Sequence, residues 1–380
     1  MRALRTAIGL ALALGLAAGL AAGANGERYS AEYEQRIGRE AAAQVEKQYT
    51  RYEDADALAK LNAMVTEIAQ ASGRPDVVYD VRAIDTDEVN AFSLPGGIIY
   101  ATRGLLADVQ SDHELAGVLA HEIAHNCTYD ALIQADRNKD LFTGSVAAAI
   151  AAILLGGSSD AVSTVLVAGE YVRQGVLGGY SVEMEAAADA HAVEYMLKTS
   201  FNPMGLVTFM GRLAAKWRAD AEALDPGVFR THPDPTDRVI ELKELLSDAS
   251  VDMNPRATTQ WEHPVAEQVE VDGQQVTQVT LQGQVIFRVL VPGPSCETVE
   301  ARAEAIVQRL TEVMAAGLQR FEVRVGDDAG NPTLEARGQT ILTAYPEDAE
   351  AQDAEQMGLA RRAQEALKLA LRTEELNRYW

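Results

Sequence analysis

The chain of 380 residues has only two cysteines, Cys127 and Cys296. A disulfide-stapled scaffold is therefore excluded, because such folds depend on several bridges. The two thiols lie far apart in the chain and read as unpaired. Histidine is scarce as well, at six residues. Positive charge is short: 33 Lys and Arg stand against 56 Asp and Glu, a formal net charge of −23. That balance excludes nucleic acid or an anionic membrane surface as a main partner, since both repel it. Beyond the N-terminus no apolar run reaches the roughly 20 residues that a spanning helix needs. Residues 145–167 are small and apolar, but "GGSSD" breaks them, so they read as two packed core helices. No internal repeat is present.

What the chain does have begins at its N-terminus. Arg2 and Arg5 precede the apolar run "TAIGLALALGLAAGLAA", and Ala22-Gly23-Ala24 offers a small-x-small cleavage site. Residues 1–24 read as an export signal, which places the mature chain in the bacterial periplasm or cell envelope, with no integral membrane span. Hydrophobic residues make up 47% of the sequence, ample for a buried core, and the length allows about two domains.

The periodicities predict an α+β protein. Helical spacing covers residues 30–49 and 54–71, with Asp54 as a cap, and "DVVYDVRAI" alternates like a strand. "VNAFSLPGGIIYATRGLL" reads as two short strands around a Pro95-Gly96-Gly97 turn, then a helix start. Ser111 and Glu114 form a capping box for a helix reaching about Asp130. Another helix covers about 182–198, and "RTHPDPTDR" opens a further one, with Pro235 in its first turn. The texture changes after Ser250. Residues 251–267 read as a linker, and 268–380 as a separate, smaller α+β domain. In it, 268–291 reads as a hairpin turning at Asp272-Gly273, and "PEDAEAQDAEQ" as a solvated acidic approach to the last helix. Residues 25–250 form the first domain, mainly helical with a small sheet.

Chemistry concentrates in "LAHEIAHN", residues 119–126. His121 and His125 stand four apart and share a helix face, so both imidazoles can reach one metal ion. Glu122 follows the first ligand and can act on a water that the metal holds. Zinc lowers the pKa of that water while a glutamate takes its proton, which suits a hydrolase. The bare motif is short and also arises by chance. Here two of only six histidines occupy ligand spacing on an apolar helix, where imidazoles need partners.

A catalytic zinc site needs a third protein ligand. "YSVEMEAAADAHAVEYM" supplies Glu185 and Asp189, four apart on one helix face. Glu185 can bind the metal, and Asp189 can orient a ligand histidine through its other ring nitrogen. Glu183 lacks a carboxylate at i+3 or i+4, and His191 points away from this face. Cys127 is off the ligand face, and His113 and His263 read as surface residues.

Four segments taken together, "VNAFSLPGGIIYATRGLL", "ELAGVLAHEIAHN", "YSVEMEAAADAHAVEYM" and "THPDPTDR", resemble the HtpX/BepA/Oma-type zinc metallopeptidases. This gluzincin family includes the CAAX prenyl endopeptidases. The resemblance spans roughly residues 55–245 and keeps the family order of motifs. It implies a zincin-type fold and one Zn2+ per chain on His121, His125 and Glu185. It also implies Glu122 as the catalytic base, Asp189 behind a ligand, and His232 near the zinc as an oxyanion donor or a latch. Asn90 begins the family's Asn-Ala-Phe strand. The glycine-rich continuation at Gly96 and Gly97 implies an edge strand on which an extended peptide lies. Two positions depart from the family: Val182 replaces an arginine and Ala187 a glutamate, which removes local ion pairs but no ligand.

The leading expectation is an exported zinc endopeptidase that hydrolyses peptide bonds of envelope proteins in quality control. Its substrates are proteins or peptides, and the C-terminal domain can recognise an envelope partner. The other reading is a metal-binding, chaperone-like or partner-binding envelope protein with a latent peptidase site.

Overall fold

The computed structural model describes residues 28–137, 150, 180–219, 235–271 and 273–377. The expected export signal, the helices of 145–167, His232 and Asp272 lie outside these residues. The chain divides into two compact units that meet in sequence between Met253 and Asn254.

The first unit is built around a small mixed sheet: β1 (Asp80–Ile84), β2 (Ala91–Leu94) and β3 (Ile98–Thr102), in the order β1-β3-β2. β1 runs parallel to β3 and β2 antiparallel to it. Both faces are covered. Ala83, Ala91, Ile99 and Ala101 face one apolar cluster, and Phe92, Leu94, Ile98 and Tyr100 face another. The second cluster is completed by helix α1 (Ala31–Gln48) through Ile37, Ala41 and Val45. The first is completed by α2 (Ala55–Ala71), α4 (Asp112–Thr128), α6 (Val182–Met196) and α7 (Met204–Ala219). Between β3 and α4 lies the short helix α3 (Arg103–Asp108), and α5 (Asp130–Arg137) follows α4. The unit closes with α8 (Pro235–Asp248).

Local chemistry sets the helix starts. Asp54 accepts from the N–H groups of Asp56 and Ala57, and Ser111 accepts from Glu114 N–H at 3.2 Å. Glu114 in turn accepts from Gln110 N–H at 2.8 Å and pairs with Arg212 of α7 at 2.7 Å. Helix α4 is buried from Glu114 through Cys127, as a central core helix must be when it is covered on every side. The polar residues of that stretch, Glu114, His121, Glu122, His125 and Asn126, are consequently buried, and each has to be met by a partner.

Gly96 and Gly97 take φ of +76° and +88°, the left-handed region that glycine enters without strain. A Cβ at Gly96 would stand 2.8 Å from Gln35 Cα, and one at Gly97 would stand 2.8 Å from Val77 Cγ1. Turn geometry favours glycine at both positions, with Gly96 packed closely against α1 and Gly97 against the segment that leads into β1.

The second unit is α+β, in keeping with the fold class predicted from the sequence. It holds two antiparallel three-stranded sheets. The first is β4 (Val265–Val271), β5 (Gln274–Leu281) and β6 (Gln284–Val289); the second is β7 (Val323–Asp328), β8 (Asn331–Ala336) and β9 (Gln339–Thr343). The long helices α9 (Val299–Ala315) and α11 (Gln356–Asn377) share one apolar core with both sheets. A short helix, α10 (Pro346–Ala351), lies between β9 and α11.

Three details differ from the sequence reading. Residues 268–291 were expected as a hairpin but form three strands, because Gln282-Gly283 makes a second turn with positive φ at both residues. The "PEDAEA" run forms α10: Glu347 and Glu350 are exposed, as a solvated approach requires, but Asp348 is fully buried on Arg302, whose nitrogens reach its two oxygens at 2.8 and 2.7 Å. The segment 251–267, expected as a linker, is packed into the second unit from Asn254 onward. Arg256 is buried, pairs with Glu374 at 2.9 and 2.6 Å, and donates to the carbonyls of Met314 and Leu318.

Candidate metal centre

His121 and His125 lie one turn apart on α4, with their rings 4.6 Å apart at 90°. Their Nε2 atoms are 3.0 Å from each other. Glu185, in the first turn of α6, brings Oε2 to 3.4 Å from His121 Nε2 and Oε1 to 3.5 Å from His125 Nε2. Helix α6 is started there by Ser181, whose side chain accepts from Met184 N–H. These three buried residues can therefore hold one metal ion between them.

The ring nitrogens on the far side are engaged by carboxylates. His125 Nδ1 lies 2.7 Å from Asp130 Oδ2, and His121 Nδ1 lies 2.9 Å from Asp189 Oδ1. Each carboxylate favours the proton on Nδ1, which leaves the Nε2 lone pair facing the shared space. Arg238, from α8, is buried against the same group. It reaches Asp189 at 2.8 and 2.7 Å and Glu185 at 2.8 Å.

The electrostatics test whether a cation fits. Glu122, Asp130, Glu185 and Asp189 are four buried carboxylates, and Arg238 is the guanidinium set among them. Burial alone pushes the His125 imidazole down, but the hydrogen bonds to Asp130 and Glu185 outweigh it and hold the ring up at about 10. His121 is raised in the same way: burial opposes its charge, while Asp189 and Glu185 favour it. Burial would raise the Asp189 carboxyl, yet Arg238 and His121 bring it down to about 2. Four buried carboxyl groups against one buried guanidinium leave room for positive charge, and a divalent cation on the Nε2 side supplies it. The donor set of two imidazoles and one carboxylate suits zinc.

Glu122 is buried in the same turn as His121, close enough to Arg238 and Tyr180 to act on both electrostatically. Asn90 is buried at the entry to β2, where its N–H donates to Thr102 Oγ1 at 3.0 Å. Gly96 and Gly97 lie in the turn beyond it, packed as described. Cys127 points away from the ligands, with its sulfur 3.8 Å from Tyr79 Oη. His191 stacks on Tyr195, and His263 lies tilted against Trp261. His113, expected at the surface, is half-buried and accepts from Asn202 N–H through Nδ1 at 3.2 Å.

Sequence reasoning missed two contributors. Asp130 follows Tyr129, which closes α4 in a left-handed conformation and turns the chain back towards His125. The signal available was that His125 needed a partner for its second nitrogen. Tyr180 lies with its ring stacked on His125, centroids 4.0 Å apart at 25°, and burial raises its phenol pKa well above the usual value. Nothing in its spacing foretold that contact.

Residues 56–246 match the model of peptidase family M48, half of the chain. The chain belongs to peptidase family M48. Residues 268–374 match a domain of unknown function, DUF8459. Among characterised proteins, the chain is 28% identical over 195 residues to the mitochondrial metalloendopeptidase OMA1 of Schizosaccharomyces pombe, covering 50% of this chain and 53% of that one. It is 28% identical over 165 residues to the beta-barrel assembly-enhancing protease of Escherichia coli O157:H7, covering 42% and 33%. It is 27% identical over 160 residues to the metalloprotease LoiP of Escherichia coli K12, covering 42% and 60%. The chain thus spans less than two thirds of each of these relatives.

Proposed function

We propose that this M48 chain is an exported zinc-dependent endopeptidase that hydrolyses peptide bonds of envelope proteins in quality control. One observation carries the reading: two imidazoles and a carboxylate converge, while each imidazole is held from behind by a carboxylate of its own. His121, His125 and Glu185 are assigned as the ligands of one zinc ion. Bound there, zinc supplies a Lewis acid that polarises the scissile carbonyl and acidifies a water. Glu122 takes the proton from the attacking water and delivers it to the leaving amine. Asp130 and Asp189 hold the imidazoles in the tautomer that turns Nε2 to the site. Arg238 holds Glu185 and Asp189 in place and favours the charge on Asp189. His232 is assigned to steady the developing oxyanion, and Asn90 to start the strand along which an extended peptide lies.

Export is supported by Arg2, Arg5, the apolar run and Ala22-Gly23-Ala24. No helix among the described residues is long and apolar enough to cross a membrane. A role in quality control is supported by the assembly-enhancing relative.

The experiment is proteolysis of an unfolded protein such as casein, with zinc content measured in parallel. Glu122→Gln keeps the shape but accepts no proton, so turnover falls by about a hundredfold to ten-thousandfold while zinc stays bound. His125→Ala loses the zinc. Near-normal cleavage by Glu122→Gln places the base elsewhere, and full zinc retention by His125→Ala sinks the ligand assignment. A wild type that binds zinc without cleaving any protein favours a latent, partner-binding role. For His232→Ala the expected result is a lower kcat with little change in KM; a rise in basal cleavage makes His232 a latch instead.

A further inference from the structure

The C-terminal end of α4 is gripped from three other parts of the first unit. Arg74, in the loop after α2, donates through Nη1 and Nη2 to the two carboxylate oxygens of Glu34, at 3.1 and 2.9 Å. Glu34 sits on α1 and is buried. Arg74 Nη1 also donates to the Asn126 carbonyl at 3.2 Å, in the last turn of α4, where a cation is favoured. Asn126 Nδ2 donates to the Leu94 carbonyl of β2 at 2.8 Å. The Arg74 guanidinium then lies 4.3 Å over the Tyr129 ring centroid, a cation–π contact.

Tyr129 is the pivot. Its φ is +63°, a conformation that non-glycine residues seldom adopt. Its N–H donates to the carbonyls of Asn126 and His125, which closes the helix. The chain leaves that turn directly into Asp130, and only the left-handed turn sends Asp130 back to His125 Nδ1 at 2.7 Å. A bidentate ion pair buried on one side, a carbonyl one residue past His125 and the ring of the strained residue all meet on a single guanidinium.

We infer that Arg74, clamped by Glu34, is a positioning residue for His125: it holds the Tyr129 turn that aims Asp130 at the imidazole. The inference rests on the reading of His121, His125 and Glu185 as the zinc site. Arg74's hydrogen bonds go to Glu34 and the Asn126 carbonyl and its ring contact to Tyr129, not to His121, His125 or Glu185. Its effect is on how well the imidazole is presented to the metal, so it is read in zinc affinity.

The test is zinc affinity of the full chain, measured by competition with a chromophoric chelator. The wild type is compared with Arg74→Gln, Asp130→Asn and the double variant. Loss of a direct hydrogen-bond partner of a metal ligand typically weakens metal binding by about 10- to 100-fold, and this is expected of Asp130→Asn. Arg74→Gln, one contact further out, is expected to weaken it by a smaller factor, roughly threefold to tenfold. The double variant should be no weaker than Asp130→Asn alone, because Arg74 acts through Asp130. Glu34→Gln keeps the side-chain shape and is expected to shift affinity in the same direction, so it serves if Arg74→Gln does not fold. Unchanged zinc affinity overturns the inference, even where the melting temperature of the zinc-free chain falls, since the pair is then purely structural. Factors that multiply in the double variant overturn it too, because the two residues then act independently. If the wild type binds no zinc, or His125→Ala keeps it, the zinc site itself is refuted and the inference falls with it.

Discussion

Arg238 shows how much of the site depends on a single side chain. It is buried, and its three nitrogens face Asp189 and Glu185. Removing one partner from a buried ion pair costs about 3–5 kcal/mol, because the charge left behind has lost its water as well as its counter-ion. Arg238→Met is therefore expected to destabilise the chain by about that amount, read as a fall in the denaturant midpoint. Arg238→Lys should recover only part of it, since an ammonium cannot span two carboxylates as a planar guanidinium does. A lysine variant as stable as the wild type would show that charge alone is required. At this scale the three converging residues were legible, because i, i+4 spacing on a helix is written in the sequence. Asp189 was legible for the same reason. Asp130 and Tyr180 were not: one reaches its place through a left-handed residue, the other through packing across the site.

At the scale of elements, the helix that carries His121 and His125 is fixed by how closely its neighbours approach. Gly117 on α4 faces the backbone of α7, and a Cβ there would stand 2.9 Å from the Leu206 Cα, Cβ and N atoms. Two effects oppose each other in Gly117→Ala. Alanine favours the helix by about 1 kcal/mol. Forcing an extra methyl into a packed crossing costs typically about 1–3 kcal/mol. The clash involves backbone that belongs to another helix, which cannot swing aside as a side chain could, so the cost should win. The expected outcome is a lower melting temperature, and a higher one would mean that α7 yields freely. The elements themselves were largely readable. Asp54 and Ser111 cap the helices they were expected to cap, and the two short strands flank the Pro95-Gly96-Gly97 turn as expected. β1 was read too long, because residues 76–79 alternate like a strand but have no pairing partner in the sheet. The third strand of the first C-terminal sheet was missed because Gln282, at positive φ, is no usual turn residue.

At the scale of the whole chain, the open matter is where the second unit begins. The domain-of-unknown-function match starts at residue 268, and the strand-like alternation that begins at Gln268 suggested the same place. The packing argues for Asn254. Arg256 is buried within the second unit, where it meets both oxygens of Glu374 on α11 and two carbonyls at the end of α9. No compositional signal marks this, since "VDMNPRATTQWEHP" has the residues of a linker and its one arginine looks solvent-bound until its partner is known. A fragment of residues 254–380 should therefore fold cooperatively by itself. A fragment of 268–380 leaves the Glu374 carboxylate buried without that guanidinium, at a cost of about 3–5 kcal/mol. Small domains have only about 5–15 kcal/mol in all, so the shorter fragment should be marginal or unfolded at room temperature. Arg256→Met in the longer fragment separates the ion pair from the other truncated residues, and most of the loss should appear in it. Equal denaturant midpoints for the two fragments would return 254–267 to the role of a linker.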